Sequence, residues 1–395
     1  MGIARKIEDN LSRSSWIRSM FEEGEQLRKI HGADKVYDFT LGNPAMEPPQ
    51  AFKDELRNLA LNPVPGMHKY MSNAGYPETR KAIAEVLAEA SGQPVTENHV
   101  VMTIGAGGAL NVVLKTLLNP GEEVIIFAPY FVEYIFYIEN HGGVAKIVET
   151  QEDFQLDLQA LEAAITPKTK ALIINSPNNP TGVIYPADIL TALNELLQRK
   201  EREFNTDIYV ISDEPYAKIT YDGQIVPPVF KFIHNSFVVT SHSKDLALPG
   251  ERIGYAAVNP LAQPGHLIVE GMIFANRTLG YVNAPALMQR LVAKLQRETV
   301  DITEYQEKLD ILYNHLTSIG FKMTKPGGAF YLFPQAPIAD DIAFVRAAVK
   351  HNILLVPGAG FGRPGYFRIC YCIEKEVIEN SLPAFTALAK EFNLI

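Results

Sequence analysis

Six short apolar runs, at residues 100–104, 123–128, 171–175, 208–212, 237–240 and 253–258, set the architecture of this chain. Each is rich in β-branched side chains, and most are followed by a glycine or polar turn and then a helical pattern. Runs this short and this continuously apolar read as strands buried on both faces. Their alternation with helices predicts an α/β fold, a mostly parallel sheet with helices on both sides. The helical patterns carry Ala82, Ile83, Val86, Leu87 and Ala90 on one face, then Leu110, Val113, Leu114, Leu117 and Leu118. Further helices are expected over 186–204, from 286 to about 318 (Leu291, Leu295, Leu309, Leu312 and Leu316), and near 340–350. Open parallel sheets place their ligands beyond the carboxyl ends of the strands, so chemistry is sought in those turns.

The charge balance narrows the partners. With 36 Lys and Arg against 45 Asp and Glu, the net charge of −9 argues against nucleic acid or an anionic membrane. A locally basic site for an anionic substrate remains compatible with it. No apolar run reaches the roughly 20 residues of a membrane span. The first residues lack an apolar signal core, and Lys6 spoils a myristoylation pattern. The only cysteines, Cys370 and Cys372, are read as strand positions on opposite faces and are expected to form neither a disulfide nor a metal site. A soluble, cytoplasmic protein without metal is the expectation. An amphipathic stretch is expected from about Trp16 to Ile30, and a short strand over 36–40.

Several residues sit oddly for a purely structural role. Lys244 lies in a turn between two buried strands, where partial desolvation lowers a lysine's pKa and frees its amine to form a Schiff base with a carbonyl. Ser241, Ser243 and Arg252 beside it suit a phosphate; a surface turn with an incidental lysine is the alternative. Gly105-Ala106-Gly107-Gly108 joins a strand to a helix and reads as an anion cradle, or as a tight βα turn without ligand. It matches neither a P-loop nor a dinucleotide fingerprint. Tyr130 and Phe131 end the run 123–128, as core or as paving for a planar ligand. Asn178-Asn179-Pro180-Thr181-Gly182 is stiffer and richer in hydrogen-bonding groups than a solvent turn needs. Asp213, at the end of a buried strand, is costly unless paired, or else caps a helix. Arg368 inside the apolar run 366–371 is likewise paired or functional. Leu41-Gly42-Asn43-Pro44 is a turn signal of a common kind, and Tyr70 alone reads as packing at a domain edge.

The segment S-x-S-K followed by G-x-R-x-G-Y, at 241–255, resembles the lysine motif of the class I/II pyridoxal-phosphate-dependent aminotransferases. These are fold type I enzymes of the aspartate aminotransferase superfamily. N-P-T-G at 179–182, D-E-x-Y at 213–216, K-Y-x-x-x-x-G at 69–75 and G-x-F-R-I-x-Y at 365–371 follow the family's pattern, so the resemblance spans nearly the whole chain. It implies a large cofactor domain over 46–285 and a smaller α/β domain from 1–45 and 286–395. It implies pyridoxal 5′-phosphate joined to Lys244, the pyridine nitrogen on Asp213, and the phenolic oxygen on Asn179 and Tyr216. Phe131 would stack on the ring. Ala106, Gly107, Ser241, Ser243 and Arg252 would hold the phosphate, with Tyr70 supplied by the other subunit of a homodimer. Gly42, Asn179 and Arg368 would meet the substrate, Arg368 at its α-carboxylate. The implied reaction moves an amino group from an L-amino acid to a 2-oxo acid, with Lys244 carrying a proton from Cα to the cofactor. A C–S β-lyase or decarboxylase on the same fold is the alternative, and a non-catalytic cofactor-binding regulator the reading from another class. Some relatives place a lysine in the glycine-rich turn for a substrate's distal carboxylate; here that place is Gly107. Neutral or aromatic donors are therefore expected to rival aspartate, unless Arg18, Lys69 or Arg363 replaces that charge.

Overall fold

The computed structural model describes residues 2–13, 28, 29, 32 and 35–395. The amphipathic stretch expected over 16–30 lies outside the described residues except for Arg28 and Lys29, and Arg18 lies outside them altogether. The chain divides into two compact units, one of residues 46–302 with 326–329, the other of residues 1–45, 303–325 and 330–395. Its strands are β1 Tyr37–Asp38, β2 Val100–Thr103, β3 Glu123–Ala128, β4 Val144–Glu149, β5 Thr169–Asn175, β6 Tyr209–Asp213, β7 Ser236–Ser241, β8 Gly254–Val258, β9 Tyr331–Leu332, β10 Ile353–Leu354, β11 Val356–Pro357 and β12 Phe367–Cys370. The helices are α1 Arg5–Arg13, α2 Gln50–Leu61, α3 Pro77–Ser91, α4 Gly105–Leu117, α5 Glu133–Asn140, α6 Leu158–Ala164, α7 Ala187–Phe204, α8 Val229–Phe232, α9 His242–Asp245, α10 Gly265–Thr278, α11 Ala286–Ala293, α12 Ile302–Ser318, α13 Asp341–Val349 and α14 Lys375–Glu391.

The larger unit is built on a seven-stranded sheet in the order β2-β8-β7-β6-β5-β3-β4. All neighbours run parallel except β8, which is antiparallel to both β2 and β7. One set of alternating strand residues (Val101, Ile126, Ile173, Ile211, Val239) forms a common core with α4 and α10. The other set, including Met102, Ile125, Leu172, Val210 and Val238, is buried as well. Both faces are therefore covered, which is why these strands read as unbroken apolar runs rather than alternating ones. Helix α4 contributes Leu110, Val113, Leu114 and Leu117 to the core, each worth about 1.5–3 kcal/mol of burial. Leu118, expected beside them, is only half-buried because it caps the helix. On α3 the buried face is Thr79, Ile83 and Ala84, and Ala90 is exposed.

The long helix expected from 286 to about 318 is two helices, α11 and α12. Between them the backbone serves other elements: Val300 N–H donates to Asp245 O at 2.7 Å, and Lys218 Nζ donates to Gln296 O at 2.7 Å and Glu298 O at 3.1 Å. The leucine spacing carries across this break because all five expected leucines are buried regardless.

The smaller unit contains a two-stranded parallel ladder, β1 with β10, and a three-stranded antiparallel sheet in the order β11-β12-β9. Phe344 anchors its core against Phe321, Phe367 and Phe392. The expectation that Cys370 and Cys372 diverge is not met. Residues two apart share a face of an extended chain, and the two sulfurs lie 3.2 Å apart.

Candidate active site

In the larger unit the candidate residues gather where β5, β6 and β7 end. Asn175 and Asp213 stand side by side in register. Asn175 Nδ2 donates to Asp213 O at 2.7 Å, and its Oδ1 accepts from Asn179 N–H at 2.6 Å. One side chain thus ties the Asn178–Gly182 turn to the carboxylate-bearing strand. Asn178 Oδ1 accepts from both the backbone and the hydroxyl of Thr181. Gly182 has φ +70, and a Cβ there would run into Pro326, so only glycine closes the turn.

Asp213 is the centre of the polar arrangement. Tyr134 Oη donates to its Oδ2 at 2.6 Å, while its Oδ1 is buried with no hydrogen-bond partner. Burial pushes the carboxyl up to about 7, and the Tyr134 hydrogen bond pulls only partly against that. Burial, with the Asp213 charge adding to it, also holds the Tyr134 hydroxyl well above its ordinary value. Phe131, which precedes α5, meets Tyr134 edge to face with centroids 5.6 Å apart. Tyr216 is buried on the turn after β6.

The glycine-rich turn lies against the turn that follows Lys244. Gly105 has φ +83, and a Cβ on it would stand 3.0 Å from Arg252 Nη2. A Cβ on Gly254 would strike Thr240 O and come within 2.9 Å of Gly105 Cα. Gly254 is in register with Ser241, so Ser241, Arg252 and the start of α4 share one neighbourhood. Helix α4 has no side-chain cap, leaving its first N–H groups for another acceptor, with the helix dipole and Arg252 both favouring an anion. Ser241 and Ser243 are buried beside it, and Lys244 is half-buried on the one-turn helix α9.

The place of a Gly107 side chain is closed by Tyr137 of α5, whose Oη is 3.0 Å from where a Cβ would be. Burial pushes this hydroxyl up to about 12, with Glu133 and Asp213 adding to the effect and Arg252 opposing it. Glu133, one turn earlier on the same helix face, is itself raised by burial.

Tyr70 is not packed into this cluster. It is 90% exposed and borders a surface cavity of about 180 Å³ with His68, Lys69, Asn283 and others. In the smaller unit Arg368 Nη2 donates to Thr40 O at 2.5 Å, with its guanidinium between the rings of Tyr331 and Phe361 at 4.7 and 4.8 Å. Gly42 lies under the Tyr331 hydroxyl, which a Cβ there would strike.

Tyr134, Tyr137 and Asn175 are the members that sequence reasoning missed. Asn175 was visible as the polar end of an apolar run. Nothing local tells that Tyr134 bonds a carboxylate 79 residues away.

The seven-stranded, mostly parallel sheet with these turns at its strand ends defines an α/β transferase of fold type I. The chain matches the family described as aminotransferase class I and II over residues 34–385. It is 33% identical over 370 residues to the aspartate/prephenate aminotransferase of Thermus thermophilus, covering 91% of this chain and 92% of that protein. It is 28% identical to the asparagine–oxo-acid transaminase of Streptococcus mutans, over 92% and 93% of the two chains. The crystal structure of an amino transferase from Eubacterium rectale is similar with a TM-score of 0.96 at 40% identity, over the whole of both chains. The chain belongs to the class I and II aminotransferases, and its activity is pyridoxal-phosphate-dependent amino-group transfer. Among the described residues no helix is long and apolar enough to cross a membrane.

Proposed function

We propose that this aminotransferase binds pyridoxal 5′-phosphate in the larger unit and takes neutral or aromatic amino donors at least as well as aspartate, with 2-oxoglutarate as acceptor. The observation that carries the cofactor assignment is the orphaned, buried Oδ1 of Asp213. A carboxylate so placed is costly unless a cationic N–H meets it, and a protonated pyridine nitrogen is such a group. The cradle of Gly105, Ala106 and Gly107, with Ser241, Ser243 and Arg252, fits the phosphate by both shape and charge. When bound, the cofactor supplies an electron sink for the donor's Cα. Asp213, oriented by Tyr134, would hold a proton on the pyridine nitrogen. Phe131 would pack against the ring, and Asn179 and Tyr216 would hydrogen-bond its phenolic oxygen. Lys244 Nζ would be the point of attachment and the group that carries a proton from the donor's Cα. In the smaller unit, the aromatic clamp and the Thr40 carbonyl preset the Arg368 fork for the α-carboxylate, with Gly42 bringing backbone close to the substrate. We place the working form in the cytoplasm as a homodimer, with Tyr70 reaching the phosphate of the other copy.

The donor preference rests on Gly107. The space beside it is filled by a neutral hydroxyl, with the carboxylate of Glu133 next along the helix. A distal carboxylate would lose solvation there, and the described residues of this helix face offer it a hydroxyl and a carboxylate in place of a cation. That a relative is named for asparagine accords with a neutral donor. The deciding measurement is kcat/KM for aspartate against phenylalanine, leucine and alanine. A hundredfold preference for aspartate would overturn this reading.

A further inference from the structure

Helix α9, His242–Asp245, is a single turn, and one turn does not hold itself together in isolation. Yet it carries Lys244, whose amine must point one way. What fixes the turn lies on its opposite face. At 3.6 residues per turn, His242 and Asp245 are neighbours three apart, and Lys244 lies about 160° round from His242. His242 and Asp245 are 2% and 6% exposed. His242 Nδ1 and Asp245 Oδ2 are 3.1 Å apart, and Lys218 Nζ is 3.2 Å from the same oxygen. The remaining donors of Lys218 go to Gln296 O and Glu298 O. The Gln296 amide nitrogen, which donates to Val292 O, also lies 3.4 Å from His242 Nε2. In the tautomer that suits both contacts, His242 Nε2 accepts from this amide and the Nδ1 proton faces Asp245. Asp245 O in turn accepts from Val300 N–H at 2.7 Å.

We propose that Lys218, Asp245 and His242 form a charge-paired brace that positions Lys244, holding the α9 turn so that the lysine amine faces the cofactor. The inference rests on the reading of Lys244 given above. A buried ion pair adds little net stability, so its worth here lies in direction: apolar packing would bury this face but leave the turn free to rotate. Burial alone would raise the Asp245 carboxyl, but His242 and Lys218 outweigh it and hold the group below its ordinary range, so the brace stays charged. The interruption between α11 and α12 belongs to the same device, because a continuous helix would have used the carbonyls of Gln296 and Glu298 internally.

The test uses full-length protein freed of cofactor, as wild type, Lys218→Met, Asp245→Asn and the double variant. Two quantities are read: the rate at which added pyridoxal phosphate gives the visible absorption of the lysine-bound form, and the Kd of pyridoxamine phosphate. The latter has an amine in place of the aldehyde and cannot bond to lysine. We expect each single variant to take up pyridoxal phosphate at least tenfold more slowly while pyridoxamine phosphate affinity stays within twofold. The double variant should be no slower than the slower single one, since the brace is already lost. The Lys218 side chain is 32% exposed, so Lys218→Met tests the brace even where Asp245→Asn fails to fold. Wild-type uptake by Lys218→Met overturns the brace alone. A parallel loss of pyridoxamine phosphate binding also overturns it, because the residues then merely support the fold. Absence of lysine-bound absorption in the wild type overturns the brace together with the assignment of Lys244.

Discussion

Asp213 concentrates the energetics of the candidate site in one side chain. Its ordinary value is 3.8, and burial raises it to about 7 in the folded chain. The folded state therefore keeps its proton longer than the unfolded state. The stability this contributes is present in full below about pH 4 and lost as pH rises towards 7. Asp213→Asn removes that dependence. In cofactor-free protein, the stability of Asp213→Asn relative to wild type should rise between about pH 4 and 7 and then level off. Thermal or urea unfolding across that range measures it, and a pH-independent difference would show that the carboxyl is not strained. Glu214, also raised to about 7, chiefly by burial, is pushed up in smaller part by the Asp213 charge, so Asp213→Asn relaxes that share of its slope as well and the measured difference contains both. The need for a partner at Asp213 was legible in the sequence, because a carboxylate ending an apolar run is expensive. Tyr134 was not: a tyrosine in an amphipathic helix looks the same whether its hydroxyl meets water or a carboxylate.

Among the elements, the junction of β5 and β6 depends on Asn175. Its amide satisfies Asp213 O and Asn179 N–H together, and both are backbone groups away from water. Asn175→Ala would orphan the two at once, at a cost of about 1–3 kcal/mol each. We expect a loss of at least ~2 kcal/mol in urea unfolding, with cofactor affinity falling as the Asn179 turn loosens. Asn175→Asp, which keeps the acceptor but not the donor, should fall between. A loss below about 0.5 kcal/mol in Asn175→Ala would mean that water or a shifted backbone replaces both bonds. The same reasoning explains why the long helical pattern after 286 misled. Leucine spacing records which residues are buried, and Leu291 of α11, Leu295 of the segment after it and Leu309, Leu312 and Leu316 of α12 are all buried. It does not record whether the intervening carbonyls are spent within a helix or on Lys218.

For the molecule as a whole, the proposed dimer gives a direct test. Tyr70 is 90% exposed, although its neighbours are pinned: Asn73 Nδ2 donates to Val282 O, Tyr76 N–H to Gln289 Oε1 and Asn283 Nδ2 to Ser72 O. A fixed backbone presenting a bare aromatic ring suits a group supplied to another copy. Lys244→Ala and Tyr70→Phe should each lose at least tenfold in turnover, Lys244→Ala nearly all of it. Mixing the two should regenerate activity through heterodimers that hold one site with both residues intact. Mixtures no more active than the sum of their parts, or an active monomer in sedimentation, would sink the exchange of Tyr70. By itself the sequence determined the parallel-sheet core, since unbroken apolar runs can be buried only on both faces. It also determined the motif residues, whose types and spacings are properties of the chain alone. Only the tertiary structure decided what stands against them: Tyr134 on Asp213, Tyr137 over Gly107, Asn175 between two turns, and Lys218 behind Lys244. Apart from the Asn175–Asn179 bond, those contacts join residues more than twenty positions apart, and geometry at that separation is set by how strands and helices pack, not by any local pattern.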